Sequence, residues 1–170
     1  MLSSPQVDLA RRIATKAHAG QLDRIGVPYI QHPAMVASFV EALPEFALAD
    51  SQTQQDALAA AWLHDVVEDT EETPTSLRAA GVSQTVVAAV VALTRSDDVA
   101  PDDYYAHLQT VPIARLVKTA DLASNLLPER VARLDDSTRD RLDAKYTHAL
   151  AQLGVDRSVI TALHEVRPAH

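Results

Sequence analysis

Residues 60–70, AAWLHDVVEDT, decide how this chain is read. Ala57, Leu58, Ala60, Ala61, Trp62 and Leu63 make an apolar run of the kind that lies inside a buried helix, and at its end stand His64, Asp65, Glu68 and Asp69. On a helix over 57–67, His64 and Glu68 are four apart and so are Asp65 and Asp69, which stacks each pair on neighbouring flanks of one face. Carboxylates at the end of a buried helix need a compensating partner, and a bound cation supplies one. The stretch therefore points to a metal-dependent hydrolase.

Helical spacing continues on both sides of it. Val7, Ala10, Ile13, Ala14 and Ala17 predict a first helix over 6–19 that Gly20 ends. A loop over 20–31 holds Gly20, Gly26 and Pro28, and His32-Pro33 opens the next helix with Pro33 at its first position. Ser51 with Gln54 resembles a capping box for the helix that runs to Val67, and Thr73-Pro74-Thr75 breaks the chain after it. Further helices are expected over 83–94, from Pro101 to about Thr110, over 113–127 behind Pro112, over 138–153 with Gly154 as its stop, and over 156–166. No stretch alternates apolar and polar residues. The expected fold is all-α, a helical bundle forming a single domain over 1–170 with its core at about 8–153. The tail VRPAH reads as frayed.

Composition narrows the chemistry. The absence of cysteine excludes disulfides, thiolate zinc sites and cysteine nucleophiles, leaving His, Asp and Glu as ligands. Fifteen basic against twenty-three acidic residues give a net charge of −8, which argues against binding polymeric nucleic acid. No run has the roughly 20 apolar residues of a membrane span, and MLSSPQVDLA lacks a signal-peptide pattern. A cytoplasmic protein acting on a small substrate is expected. The Ala/Val-rich surface at 86–92 is a candidate either for core or for a contact between copies in a homo-oligomer.

His32, His64, Asp65 and Asp121 could together hold one divalent ion, since two imidazoles and two carboxylates suit Mn²⁺, Fe²⁺, Zn²⁺, Co²⁺ or Mg²⁺ with water completing the sphere. Ligands 64 and 65, about 100° apart around a helix, serve one ion placed between their directions. Glu68 or Asp69 could then orient a water or accept its proton. Asp121 and Asn125 are four apart on the helix that also presents Lys118.

These residues carry a resemblance. His32, His64-Asp65 and Asp121 look like the H…HD…D pattern of the HD phosphohydrolase superfamily. Four stretches, AHAGQ (17–21), GVPYIQHP (26–33), HDVVEDT (64–70) and VKTADLASNL (117–126), resemble the hydrolase domain of the stringent-response alarmone enzymes and their small single-domain relatives, over about residues 8–150. The resemblance implies removal of the 3′-pyrophosphate from a guanosine tetra- or pentaphosphate, with Mn²⁺ on His32, His64, Asp65 and Asp121. It also implies Glu68 and Asp69 as the catalytic acidic pair, Asn125 facing the substrate, and Tyr146 near the nucleotide. Nothing in 170 residues resembles a synthetase domain, so alarmone synthesis is not expected.

The chain departs from the family where members usually carry two adjacent basic residues before the GxPYIxHP stretch. Here Asp23-Arg24 stands instead, so Asp23 is expected to disturb guanine recognition and to repel a polyanion, making an adenine-bearing alarmone a credible substrate. Leu122-Ala123-Ser124 replaces a more polar, basic stretch, so cation supply falls to Arg24 and Lys118, with Arg95 and Lys145 as further candidates. Two alternatives stay open: a broader HD-type nucleotide phosphatase, favoured by Asp23, and a nucleotide-binding sensor with little turnover.

Overall fold

The computed structural model describes residues 4–166, and no strand occurs among them. The expectations for the first three residues and for the final Arg167 to His170 lie outside the described residues.

α1 (Pro5–Ala17) starts on Ser4, whose hydroxyl accepts from Val7 N. α2 (Gln31–Ala42) begins two residues before Pro33, so His32 lies inside its first turn and Pro33 is the third helical residue instead of the first. The short α3 (Pro44–Leu48) leads to α4 (Ser51–Leu63). The cap of α4 is Asp50 and not Ser51: the Asp50 carboxylate accepts from Gln52 N and Thr53 N, both at 3.0 Å. A carboxylate in that position also meets the positive end of the helix dipole, which a hydroxyl does less well.

α4 is the axis of the molecule. Residues 57–63 are all buried, and the helix packs against α1, α2, α7 and α9. A helix that is apolar all round belongs at the centre, and Ala57, Ala59, Ala60 and Ala61 keep its girth small enough for neighbours on every side. The helix stops at Leu63, so 57–67 is not one continuous helix. His64 Nδ1 reaches back to Ala61 O at 2.8 Å, a carbonyl of the last turn, and Asp65 sits at φ −102°, ψ −5° before the single turn α5 (Val66–Asp69). The expected stacking of His64 on Glu68 and of Asp65 on Asp69 along one straight helix is thereby replaced by a bend. The bend sends His64 inward, buried, while Glu68 and Asp69 are exposed.

α6 (Pro74–Ala79) grows out of the predicted break, because Thr73 and Ser76 form a reciprocal capping box. α7 (Gln84–Leu93) carries its Ser83 cap as read from the sequence, and Val86, Val87, Ala89 and Val90 are buried, which assigns the 86–92 segment largely to core. α8 (Pro101–Gln109) and α9 (Pro112–Asn125) both start on proline. The short α10 (Pro128–Val131) precedes α11 (Asp136–Leu153), which ends at Gly154 in the left-handed conformation with φ +63°. α12 (Arg157–Glu165) packs back on α9.

The loop between α1 and α2 is tightly built. Leu22 and Pro28 form an isolated antiparallel bridge, Tyr29 N donates to Gln21 O at 2.9 Å, and Asp23 N donates to Val27 O at 2.8 Å. Gly26 turns the chain at φ +79°, a conformation that L side chains rarely adopt. This loop, α5 and the C-terminal part of α9 converge on one end of α4.

Candidate active site

The four predicted ligands meet at that end of α4. His32 Nε2 lies 3.2 Å from His64 Nε2, 3.5 Å from Asp65 Oδ2 and 3.2 Å from Asp121 Oδ1. His64 Nε2 is 2.9 Å from Asp65 Oδ2 and 3.9 Å from Asp121 Oδ1. Donors sharing one ion through bonds of about 2.1 Å stand about 3.0 Å apart at right angles and about 3.4 Å apart at tetrahedral angles. The spacing of His32, His64 and Asp65 fits a single divalent ion, and Asp121 adjoins that group through His32 and His64.

Each ligand is held from behind. His32 Nδ1 bonds Ser124 Oγ at 3.0 Å, and His64 Nδ1 bonds Ala61 O, so both Nε2 atoms point into the cluster. Asp121 accepts from Lys118 Nζ at 2.7 Å on one oxygen and from Asn125 Nδ2 at 2.6 Å on the other. Asp65 Oδ2 accepts from the Tyr29 hydroxyl at 2.5 Å. Outer partners of this kind fix ring orientation and ligand basicity at metal sites.

Electrostatics agree with a cation-seeking cluster. Burial alone would lower His64, but the charge and hydrogen bond of Asp65, with Asp121 behind it, raise it to about 9. Burial disfavours charge on Asp65 and Asp121 as well; His64 outweighs it at Asp65 and Lys118 at Asp121, and both carboxyls are held below the usual range. Burial also pulls Lys118 down, yet Asp121 lifts its ammonium above the ordinary value. Tyr29 is pushed up by burial and by Asp65, so its hydroxyl remains a donor.

Above the cluster opens a cavity of about 400 Å³, lined by His32, Asp65 and Asp121 and by the predicted substrate groups. Glu68, Asp69, Arg24, Lys118, Asn125 and Tyr146 all face it, as do Arg95 and Lys145. Lys118 and Asn125, expected to meet substrate, spend their donors on Asp121 here and act on the ligand set first. Glu68 Oε2 accepts from Arg95 N at 2.9 Å, which ties α5 to the loop after α7.

Asp23 lines the cavity and is engaged within the protein. Its Oδ1 accepts from Ile25 N at 3.0 Å and Val27 N at 2.9 Å, and its Oδ2 pairs with Arg130 Nη1 at 3.0 Å. The carboxylate organises its own loop and is paired with an arginine across the cavity lining.

Several groups escaped the sequence reading. Arg130 and Arg141 line the cavity, raising its cations to Arg24, Arg95, Lys118, Arg130, Arg141 and Lys145. Lys145 is lowered by burial and then by the neighbouring charges of Lys118 and Arg95, a sign of how densely the cations are gathered. Ser124 and Tyr29 were missed as ligand supports. Ser124 stands three residues from Asp121, which places it on the same face of α9 and was a usable signal. Arg130 carried none, since its partner is far away in sequence.

Two histidines and two aspartates converging beneath a cation-lined cavity make a candidate divalent-metal site in a helical protein. A family model described as HD domain matches residues 10–110, and the chain belongs to the HD-domain family. Among relatives, it is 38% identical over 81 residues to the guanosine-3′,5′-bis(diphosphate) 3′-pyrophosphohydrolase of Vibrio cholerae, covering 46% of this chain and 10% of that one. It is 42% identical over 66 residues to the protein of the same name from Haemophilus influenzae, covering 39% of this chain and 9% of that one. With the bifunctional (p)ppGpp synthase/hydrolase RelA of Mycobacterium tuberculosis it shares 41% identity over 71 residues, 39% of this chain and 8% of the relative. The matched stretch thus spans about a tenth of the length of these curated relatives. The fold matches, with a TM-score of 0.73 and 21% identity over 97% of this chain and 95% of the other, a solved structure described as a metazoan ortholog of SpoT that hydrolyzes ppGpp and plays a role in starvation responses.

Proposed function

We propose that this protein removes the 3′-pyrophosphate from an alarmone nucleotide, guanosine 3′,5′-bis(diphosphate) or its adenosine analogue, using one Mn²⁺ held by His32, His64, Asp65 and Asp121. The observation that carries the reading is the pairing of that ligand cluster with a strongly cationic wall in a chain of net charge −8. Six cations and five carboxylates line the cavity, so a divalent ion leaves it positive where the rest of the chain is negative. Such a field suits a small substrate with several phosphates. The names of the matched relatives point the same way.

An ion held by His32, His64, Asp65 and Asp121 would supply Lewis acidity for a phosphoryl oxygen and a lowered pKa for a water beside it. Asp69 is the proton acceptor: it is exposed to the cavity, and its charge acts on the Tyr29 hydroxyl beside Asp65, which sets it against the ligand cluster. Glu68 is the companion that orients the water, because the Arg95 N–H already engages its carboxylate and fixes its direction. Arg24, Lys145 and Tyr146 hold the nucleotide from the opposite wall. Water attacks the 3′-linked phosphorus, the bond from phosphorus to the 3′-oxygen breaks, and pyrophosphate leaves as that oxygen gains a proton. The working unit is a single domain over 1–170, set in the cytoplasm.

The experiment is to follow release of pyrophosphate and orthophosphate from ppGpp, ppApp and ordinary nucleotides by Mn²⁺-loaded protein, with Asp69→Asn as control. Pyrophosphate from an alarmone, lost in the variant, supports the proposal, and comparison of the two alarmones sets the base preference. Orthophosphate alone moves the protein to the broader phosphatase class. That class loses its best support once Asp23 is paired with Arg130. Binding without turnover would make the protein a sensor, against which stands the presence of both Glu68 and Asp69 in the cavity.

A further inference from the structure

The stretches AHAGQ (17–21) and GVPYIQHP (26–33) contribute only His32 and the loop beside it to the reaction proposed above, yet they build a connected unit against the ligand cluster. Tyr29 stands at its centre. The Tyr29 hydroxyl donates to Asp65 Oδ2, the same oxygen that lies 2.9 Å from His64 Nε2. Its ring lies between two imidazoles: His18 at 4.8 Å, tilted by 42°, and His32 at 5.6 Å, edge-on at 62°. His32 in turn meets His64 edge-on at 5.1 Å, so four rings run in a column from α1 to the end of α4.

The outer end of the column is fixed by Gln21. Its side-chain Oε1 lies 2.7 Å from His18 Nδ1, and its carbonyl accepts from Tyr29 N. One residue thus sets both the imidazole that flanks the tyrosine and the backbone from which the tyrosine projects. His18 is 2% exposed and its Nε2 has no hydrogen-bond partner, so the ring is kept there for its packing and its single bond to Gln21.

We propose that Tyr29 is a positioning residue for the metal centre: clamped by the Gln21 and His18 pair, it holds Asp65 in the rotamer that turns Oδ2 toward His32 and His64. The inference rests on the metal-site part of the proposed function and not on the identity of the substrate. Asp65 needs such a support more than its fellow ligands do. It sits on the bend between α4 and α5, where no regular helix fixes its direction, and its side chain is 20% exposed against 2–7% for the other three. His32 and His64 have their own second bonds, and Asp121 has two donors from its own helix.

Tyr29→Phe tests this, because phenylalanine keeps the ring between His18 and His32 and removes only the hydroxyl. The readout is titration with Mn²⁺, and with Co²⁺ for its visible spectrum, alongside thermal unfolding of the metal-free and metal-loaded forms. The expected result is a dissociation constant weakened by about tenfold to a hundredfold, an altered Co²⁺ spectrum at saturation, and a smaller metal-induced rise in Tm. A purely structural tyrosine would shift both Tm values together and leave the rise intact, which overturns the proposal. Wild-type metal affinity in Tyr29→Phe also overturns it, while leaving the hydrolase reading standing. Failure of the wild-type protein to take up either ion removes the metal centre and the proposal with it. Gln21→Ala serves as the second variant, with a weaker effect in the same direction expected and no effect on affinity counting against the clamp.

Discussion

The floor and the wall of the cavity are built on opposite principles. On the floor, His32, His64 and Asp121 are buried, and every ligand carries a second bond that fixes its direction. On the wall, Arg24, Arg95, Arg141 and Lys145 are exposed or only partly covered, and they come from the α1–α2 loop, the loop after α7, and α11. A metal centre must hold its donors within a few tenths of an ångström, which burial and paired bonds achieve. A surface that receives a flexible polyanion gains from long, solvated cations that adjust to it. Under the proposed function, the chemistry belongs to the floor and the choice of substrate to the wall. The residues matched by the family model, 10–110, contain three of the four ligands and the acidic pair, while Arg130, Arg141, Lys145 and Tyr146 lie beyond them.

If the division is right, changes to the floor are catastrophic and changes to the wall are graded. His64→Ala or Asp121→Ala should lose bound metal and activity together, measured as metal content after dialysis beside turnover; retention of stoichiometric metal in either variant would break the division. Asp69→Asn comes next. It should cut kcat by about a hundredfold or more while metal content stays at the wild-type level, since it removes a proton acceptor and no ligand.

The pH dependence sharpens the account of the floor. His64, at about 9 in the folded protein against an ordinary 6.5, carries a proton that a metal must displace. Metal affinity should therefore rise with pH, by about tenfold per unit from pH 7 toward 9, and levelling off above that. The metal-free protein should behave in the opposite sense. A raised pKa contributes stability that is fully present below pH 6.5 and is lost as pH rises through about 9, so its Tm should fall across that window. Denaturation in chelator at pH 6.5 and pH 9, beside titration calorimetry, checks both slopes.

The smallest effect belongs to the wall. Asp23→Asn keeps an oxygen for Ile25 N and Val27 N and removes only the charge opposite Arg130. The KM for an alarmone should change by less than about fivefold, the scale of one partly exposed ion pair. A steep fall in KM would mean that Asp23 repels the substrate after all.

How far the sequence revealed the molecule follows the same line. Helices with a local start or stop were legible: Ser83, Pro101, Pro112 and Gly154 each mark a real boundary. The helices α3, α6 and α10 were not, because four to six residues are too few to establish a period. The break at His64 and Asp65 was hidden for a related reason, since the helical spacing runs on through it while the His64 side chain bonds Ala61 O inside the last turn of α4. The candidate ligands could be picked out as residue types in a pattern. Their supports could not, because Tyr29 to Asp65 and Ser124 to His32 are contacts between elements 36 and 92 residues apart. The partner of Asp23 was hidden for the same reason: Arg130 lies 107 residues away.

The most direct test of the floor as a single metal centre is a crystal structure of the protein grown with Mn²⁺, with anomalous differences recorded at a wavelength where manganese scatters strongly. The account predicts one peak, bonded at about 2.1 to 2.2 Å by His32 Nε2, His64 Nε2, Asp65 and Asp121. No peak among those four residues, or a peak held by Glu68 and Asp69 instead, would contradict it.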